Sequence, residues 1–132
     1  MTDKTPAPQV WPTLRAKDAP ALIQFLAGAF GFTETVVHRD GDVVHHCELA
    51  WPEGGGIMLG SSRSRDVLPP PGSFSAYVVT ADPDAVCARA RAAGAEIIDE
   101  LHETDYGSRD FAVRDIEGNR WSFGTYAGAP RS

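Results

Sequence analysis

The sequence predicts an α+β fold built from two tandem β-α-β-β-β units, and two observations carry that reading. The first is the stretch from Tyr106 to Tyr126, YGSRDFAVRDIEGNRWSFGTY. From Arg109 to Arg114 the side chains alternate, Phe111 and Val113 on one face, Asp110, Ala112 and Arg114 on the other. That is the period-two pattern of a half-buried strand. Asp115-Ile-Glu-Gly-Asn119 supplies turn chemistry, with Gly118 and Asn119 best able to take positive φ, and Trp121, Phe123 and Tyr126 restart an aromatic strand. The second observation is that the hairpin recurs 64 positions earlier. Glu117-Gly118 falls on Glu53-Gly54, Phe111 on Cys47, Val113 on Leu49, Trp121 on Ile57, Phe123 on Leu59 and Gly124 on Gly60. The same shift puts Asp82 on Asp18, Ala85 on Ala21 and Val78 on Leu14, with one residue lost between Gly31 and Gly94. A constant shift over strand, helix and hairpin marks an internal repeat, and a repeat fixes the architecture.

In chain order, residues 1–9 are polar and proline-rich and read as a flexible tail. The first unit spans 10–60. Val10 to Lys17 is its first strand, Asp18 an N-cap, and Ala19 to Phe30 a helix with Leu22, Phe25 or Leu26, and Ala29 on one face. Gly31 ends the helix. Phe32 to Arg39 and Val43 to Trp51 are strands about the Asp40-Gly41 turn, and Ile57 to Gly60 follows the turn Pro52 to Gly56. The glycine run in that turn opens a strand, so it lacks the helix N-terminus that a phosphate cradle uses. Residues 61–73 form a proline-rich linker. The second unit spans 74–126: strand Phe74 to Thr80, the cap Asp82, a helix Pro83 to Ala93 with proline at its first position, and Gly94 as its stop. Glu96 to Ile98 begins a strand, Asp99 to Gly107 is a polar loop, and the Tyr106 hairpin closes the unit before a tail at 127–132. Residues 10–126 make one structural domain.

Composition narrows the function. An apolar content of 42% with 23% charged residues is globular. A formal charge of −6 argues against nucleic acid, which needs a basic face to neutralise phosphates. Cys47 and Cys87 read as buried free thiols rather than a disulfide or a metal pair. The N-terminal stretch lacks the apolar run of a signal peptide and nothing approaches the ~20 apolar residues that cross a bilayer, so the expected location is the cytoplasm, with no membrane partner.

With the repeat and the YGSRDFAVRD-EGN-WSF pattern in place, the chain resembles the vicinal oxygen chelate superfamily of glyoxalases, extradiol dioxygenases, fosfomycin-resistance enzymes and bleomycin-resistance proteins. The resemblance covers residues 10–126. It implies that each unit curls into half of a cup-shaped mixed sheet, helices outside and ligand on the concave face. In metal-dependent members the first strand of each unit offers a ligand, usually His, seven residues before the capping Asp. The last strand offers a Glu four residues after the turn glycine. Here those places hold Trp11, Ser75, Met58 and Ser122. None is an imidazole or a carboxylate, so the family's metal site is expected to be absent and no cofactor is expected.

Alternation then places Trp11, Thr13, Arg15, His46, Glu48 and Met58 on the concave face of the first unit, and Ser75, Tyr77, Asp110, Ala112 and Ser122 on that of the second. Tyr106 and Arg109 lie beside the entrance, to gate it or hold an anionic group, although a surface ion pair is the commoner fate of such an arginine. His45 and His46 point to opposite faces and cannot share an ion, whereas His46, Glu48 and Asp110 are candidates for a relocated metal. Cys47 lies on the apolar face and is a poor nucleophile.

The leading expectation is a metal-free, homodimeric small-molecule-binding protein, similar to the bleomycin-resistance branch, that sequesters or carries an aromatic or cationic compound. Trp11 and Tyr77 would stack, Glu48 and Asp110 would meet positive charge, and Ser75 and Ser122 would hydrogen bond. The alternatives are a lyase, isomerase or dioxygenase of the same fold, using a relocated metal or His46 as base with Glu48 beside it, and a ligand-free dimerisation module.

Overall fold

Each unit hands its first strand to a helix through an aspartate. Asp18 and Asp82 accept from the backbone N–H three residues on, Ala21 at 3.2 Å and Ala85 at 3.1 Å. These are N-cap bonds that satisfy otherwise orphaned donors. The structure, a computed structural model, describes residues 7–63 and 69–130. Most of the expected N-terminal tail, the centre of the linker and the last two residues lie outside that description.

The first unit runs β1 (Thr13–Ala16), α1 (Ala19–Phe25), β2 (Thr33–Asp40), β3 (Val43–Ala50) and β4 (Gly56–Ser61). The second runs β5 (Ser75–Val79), α2 (Pro83–Ala92), β6 (Glu96–Glu103), β7 (Arg109–Arg114) and β8 (Arg120–Gly124). They form two four-stranded mixed sheets, ordered β1-β4-β3-β2 and β5-β8-β7-β6. The outer pair β1–β4 is parallel, as is β5–β8, and the rest are antiparallel. The repeat survives in the ladders. Thr13 pairs with Met58 and Cys47 with Leu59; 64 residues on, Tyr77 pairs with Ser122 and Phe111 with Phe123.

Two expectations need correction. The helix expected over 19–30 is α-helical only to Phe25, and Leu26–Phe30 is a π-helical stretch ended by Gly31 at φ 96°. The carbonyls of Gly28 and Ala27 accept from Arg89 of α2 at 2.9 and 3.2 Å, which ties the two helices together. The polar run expected as a loop from Asp99 continues as β6 to Glu103. As an edge strand it needs no apolar alternation to pair, and its register slips twice against β7.

One core serves both units. Phe30, Phe32 and Trp51 of the first meet Trp121 and Phe123 of the second, with ring centroids 5.0 Å apart for Phe30–Phe123 and 5.6 Å for Phe32–Trp121. Such aromatic pairs add to the area they bury. Polar bonds lock the seam. Glu117, in the β7–β8 turn, accepts from the backbone N–H of Lys17 at 2.9 Å and Asp18 at 2.8 Å. Its repeat counterpart Glu53, in the β3–β4 turn, accepts from Ala81 N–H at 2.7 Å. Each unit's turn therefore clasps the other unit's strand-to-helix junction.

The second turn is held from within by Asp115. Buried, it accepts from Glu117 N–H (2.8 Å), Asn119 N–H (3.0 Å), Asn119 Nδ2 (2.9 Å) and Trp121 Nε1 (2.8 Å). Asn119 Oδ1 in turn accepts from Phe74 N–H at 3.0 Å. Removing the carboxylate orphans buried donors, so Asp115→Ala is expected to cost roughly 3 kcal/mol or more in urea unfolding. At the seam, Glu117→Ala loses two charge-assisted bonds and Glu53→Ala one, so the expected losses are roughly 1–3 and about 1 kcal/mol. Unchanged midpoints in both variants would show that the clasps contribute nothing.

Candidate ligand-binding site

Each sheet turns one face to the shared core and leaves the other open. On the first sheet the open face carries Thr13 and Arg15 from β1, Met58 and Gly60 from β4, His46 and Glu48 from β3, and His38 from β2. His46 Nε2 lies 2.8 Å from Glu48 Oε2, and the His38 and His46 rings stack with centroids 6.4 Å apart. A β-bulge at His45 makes this arrangement. Arg39 pairs with Val44 and His38 with His46, so Val44 and Cys47 both face the core while His46 stays on the open side. Arg15 and Trp11 lie over glycines. A Cβ on Gly60 would stand 2.7 Å from Arg15 Nη1, and one on Gly56 would stand 2.9 Å from Trp11 Cζ3.

On the second sheet a polar cluster gathers around Asp110. Its Oδ1 accepts from Ser108 Oγ at 2.5 Å and Tyr77 OH at 3.3 Å, and its Oδ2 from Tyr106 OH at 3.1 Å. Tyr126 N–H donates to Tyr77 OH and to Ser108 Oγ at 3.1 and 3.0 Å. A Cβ at 124 would collide with Asp110 Oδ1 and Tyr77 OH, so any larger residue there would push both side chains out of the cluster. Partial loss of water, then the Asp110 hydrogen bond and charge, hold the Tyr106 phenol above its ordinary range, so it stays a donor. An open cavity of about 510 Å³ is lined here by Tyr77, Tyr106, Asp110, Ala112 and Ser122, with His102 and Asp99 on its β6 side.

The sequence-expected residues therefore fall into two groups. Thr13, Arg15, His46, Glu48 and Met58 share the first open face, with Trp11 lying over Gly56 beside it; Ser75, Tyr77, Asp110 and Ser122 share the second, with Tyr106 beside it. Arg109 joins neither. As a strand neighbour of Asp110 it points to the helix side, where it clamps Asp84 through Nε at 2.7 Å and Nη2 at 3.0 Å and reaches Glu103 at 3.3 Å. That contact holds the Asp84 carboxyl below its usual range, and Arg109 is a structural tie rather than a gate. Asp110 sits on the other sheet from His46 and Glu48, and among the described residues no group of three or more His, Cys, Asp or Glu is placed to hold a metal. Sequence reasoning missed Ser108 and Tyr126. Ser108 sits beside Asp110 in a stretch with no strand pattern, and Tyr126 acts partly through its backbone.

Residues 9–123 match the sequence profile of the Glyoxalase/Bleomycin resistance protein/Dioxygenase superfamily. The chain belongs to that superfamily. A search of curated proteins gave no match. Among solved structures, superfamily architecture is shared with TioX from Micromonospora sp. ML1, at 26% identity and a TM-score of 0.72 over 88% of this chain and 98% of that one. It is shared with a glyoxalase/bleomycin resistance protein from Streptomyces sp. CB03234 at 24% identity and TM-score 0.67, covering 86% and 96%. TnmS3, an antibiotic binding protein from the same Streptomyces strain, has 22% identity and TM-score 0.69, covering 87% and 92%.

At the places the resemblance assigns to ligands stand Trp11, Met58, Ser75 and Ser122. An indole, a thioether and two hydroxyls are the wrong donors for a hard divalent ion, so the superfamily's metal does not fit these four places.

Cys47 is buried, and burial, with Glu34 and Glu48 nearby, pushes its thiol up to about 12. The expected outcome is that Cys47 resists a thiol-labelling reagent at pH 8 until denaturant is added. The folded value lies above the ordinary 9.0, so stability from this group is intact below that pH and is lost as pH rises toward about 12. Rapid labelling of Cys47 in the folded protein would contradict the burial.

Proposed function

We propose that this superfamily member binds a small organic compound, aromatic or cationic, without a metal, and that it works by sequestration or carriage as a homodimer. The observation that carries this reading is the pair of open sheet faces. The second leaves Tyr77, Val79 and Tyr106 exposed at 43%, 41% and 59%, a density of large side chains that marks an interaction site. Its cavity does not include Trp11, His46 or Glu48, which stand on the other sheet. A two-fold dimer that sets the first open face of one copy over the second open face of another would enclose both sets around one ligand. The antibiotic-binding description of the fold relative TnmS3 supports a ligand of this class.

The His46–Glu48 hydrogen bond favours a second reading, a lyase or isomerase with His46 as base. Turnover of the bound compound, lost in His46→Gln with binding retained, would favour it over sequestration.

Light scattering at micromolar concentration is expected to give twice the chain mass. Calorimetry with planar aromatic and cationic antibiotics is expected to find binding that Trp11→Ala weakens by ~1–3 kcal/mol without unfolding the protein. Zinc, nickel, manganese or iron is expected to leave the Tm unchanged, whereas an ion at a hundred times its Kd would stabilise by ~2.7 kcal/mol. A monomer mass, or a Trp11→Ala variant that binds every compound as before, would overturn this arrangement.

A further inference from the structure

Three tyrosines from three separate segments converge at one corner of the second sheet. Tyr77 of β5, Tyr106 ahead of β7 and Tyr126 after β8 line one cavity of about 510 Å³. The Tyr106 and Tyr126 rings meet edge to face, 5.5 Å between centroids, which leaves aromatic faces open to the cavity. The hydroxyls of Tyr77 and Tyr106 are committed inward as donors to Asp110, so what these two rings present outward is π surface rather than O–H groups.

Asp110 contributes a negative charge at the base of this corner. Among the described residues its partners are three hydroxyls and not a cation. The titratable neighbours are Asp99, Asp105, His102 and Arg120 of the adjoining cavity. His102, opposite Asp110 in the ladder, gives Nδ1 to the Glu100 carbonyl at 2.8 Å and lies 4.0 Å from Asp99. Arg120 is four strand residues from Gly124, ~13 Å along the strand, and among the described residues forms no ion pair with Asp110.

We infer that this corner is a cage for an organic cation, specifically a quaternary or charge-delocalised nitrogen carried by the ligand. Hydroxyls already take three of the roughly four lone-pair sites of Asp110, so a primary ammonium or a metal ion would find one left and would give up a strong hydration shell. An alkylated or aromatic cation is weakly hydrated, takes its stabilisation from ring faces and needs the carboxylate only as a nearby charge. The inference rests on the small-molecule reading above and names which charge the ligand carries and where it sits.

The test compares N-methylacridinium with acridine at a pH where acridine is uncharged, two planar probes of the same ring system, by calorimetry on the full chain. The cation is expected to bind roughly tenfold tighter. Tyr126→Leu keeps the backbone bonds of residue 126 and is expected to erase most of that preference, weakening the cation several-fold more than acridine. Asp110→Asn is expected to erase the preference as well. Equal affinity for both probes, or a preference unchanged in Tyr126→Leu, overturns the cage and leaves the broader binding reading standing. Failure of both probes to bind overturns the cage and counts against that reading too.

Discussion

The arrangement of the molecule depends on a reciprocal clasp between its two halves. A strand that passes into a helix leaves backbone N–H groups without intrahelical partners. In this chain the donors at each junction are taken up by a glutamate from the other unit: Glu117 serves Lys17 and Asp18, and Glu53 serves Ala81. A carboxylate on a backbone N–H is a charge-assisted bond, stronger than a neutral one, and it has direction. It fixes how the units meet, while the shared aromatic core supplies most of the apolar burial. Trp51 adds to the same seam by donating Nε1 to the Val79 carbonyl at 3.0 Å. The helix-covered faces are largely taken up by this contact, and the opposite faces stay open.

Those open faces show how a repeat diverges. Gly60 and Gly124 hold the same ladder position, and in both units a polar side chain lies across the bare backbone: Arg15 over Gly60, Asp110 and Tyr77 over Gly124. His46 and Asp110 are likewise counterparts, as are Glu48 and Ala112. The scaffold positions are constant and the residue types have parted. One sheet offers an imidazole paired to a carboxylate, and the other offers a carboxylate bonded to hydroxyls and surrounded by tyrosine rings.

Much of the fold was legible because its signals are local. The capping aspartates, the Gly31 stop and the strand alternation each act within a few residues, and the repeat multiplied their weight. The errors fell where tertiary context overrides local pattern. The π-helical turn gives two of its carbonyls to Arg89, which is distant in sequence. Strand β6 is recruited by pairing to β7 although its own residues are polar. At the site, face assignment followed from parity, and parity also explains Arg109: one position from Asp110, it belongs to the other side of the sheet. Ser108 and Tyr126 could not be read in advance because their roles come from a corner assembled by three segments.

Among the described residues, the lack of a metal donor set and the hydroxyl shell around Asp110 act in the same direction. A carboxylate with free lone pairs in a cleft attracts metal ions and primary amines, and would bind them in competition with any larger guest. Once Ser108, Tyr77 and Tyr106 donate to it, the charge remains but three of its roughly four lone-pair sites are taken. In the cage proposed above, the field it projects into the cavity would favour a positive guest without selecting a small one. Breadth of contact with the exposed rings would do the selecting, which suits large, weakly hydrated organic molecules. Such a face would discriminate by shape and charge together, with side chains the sheet holds in place before any ligand arrives.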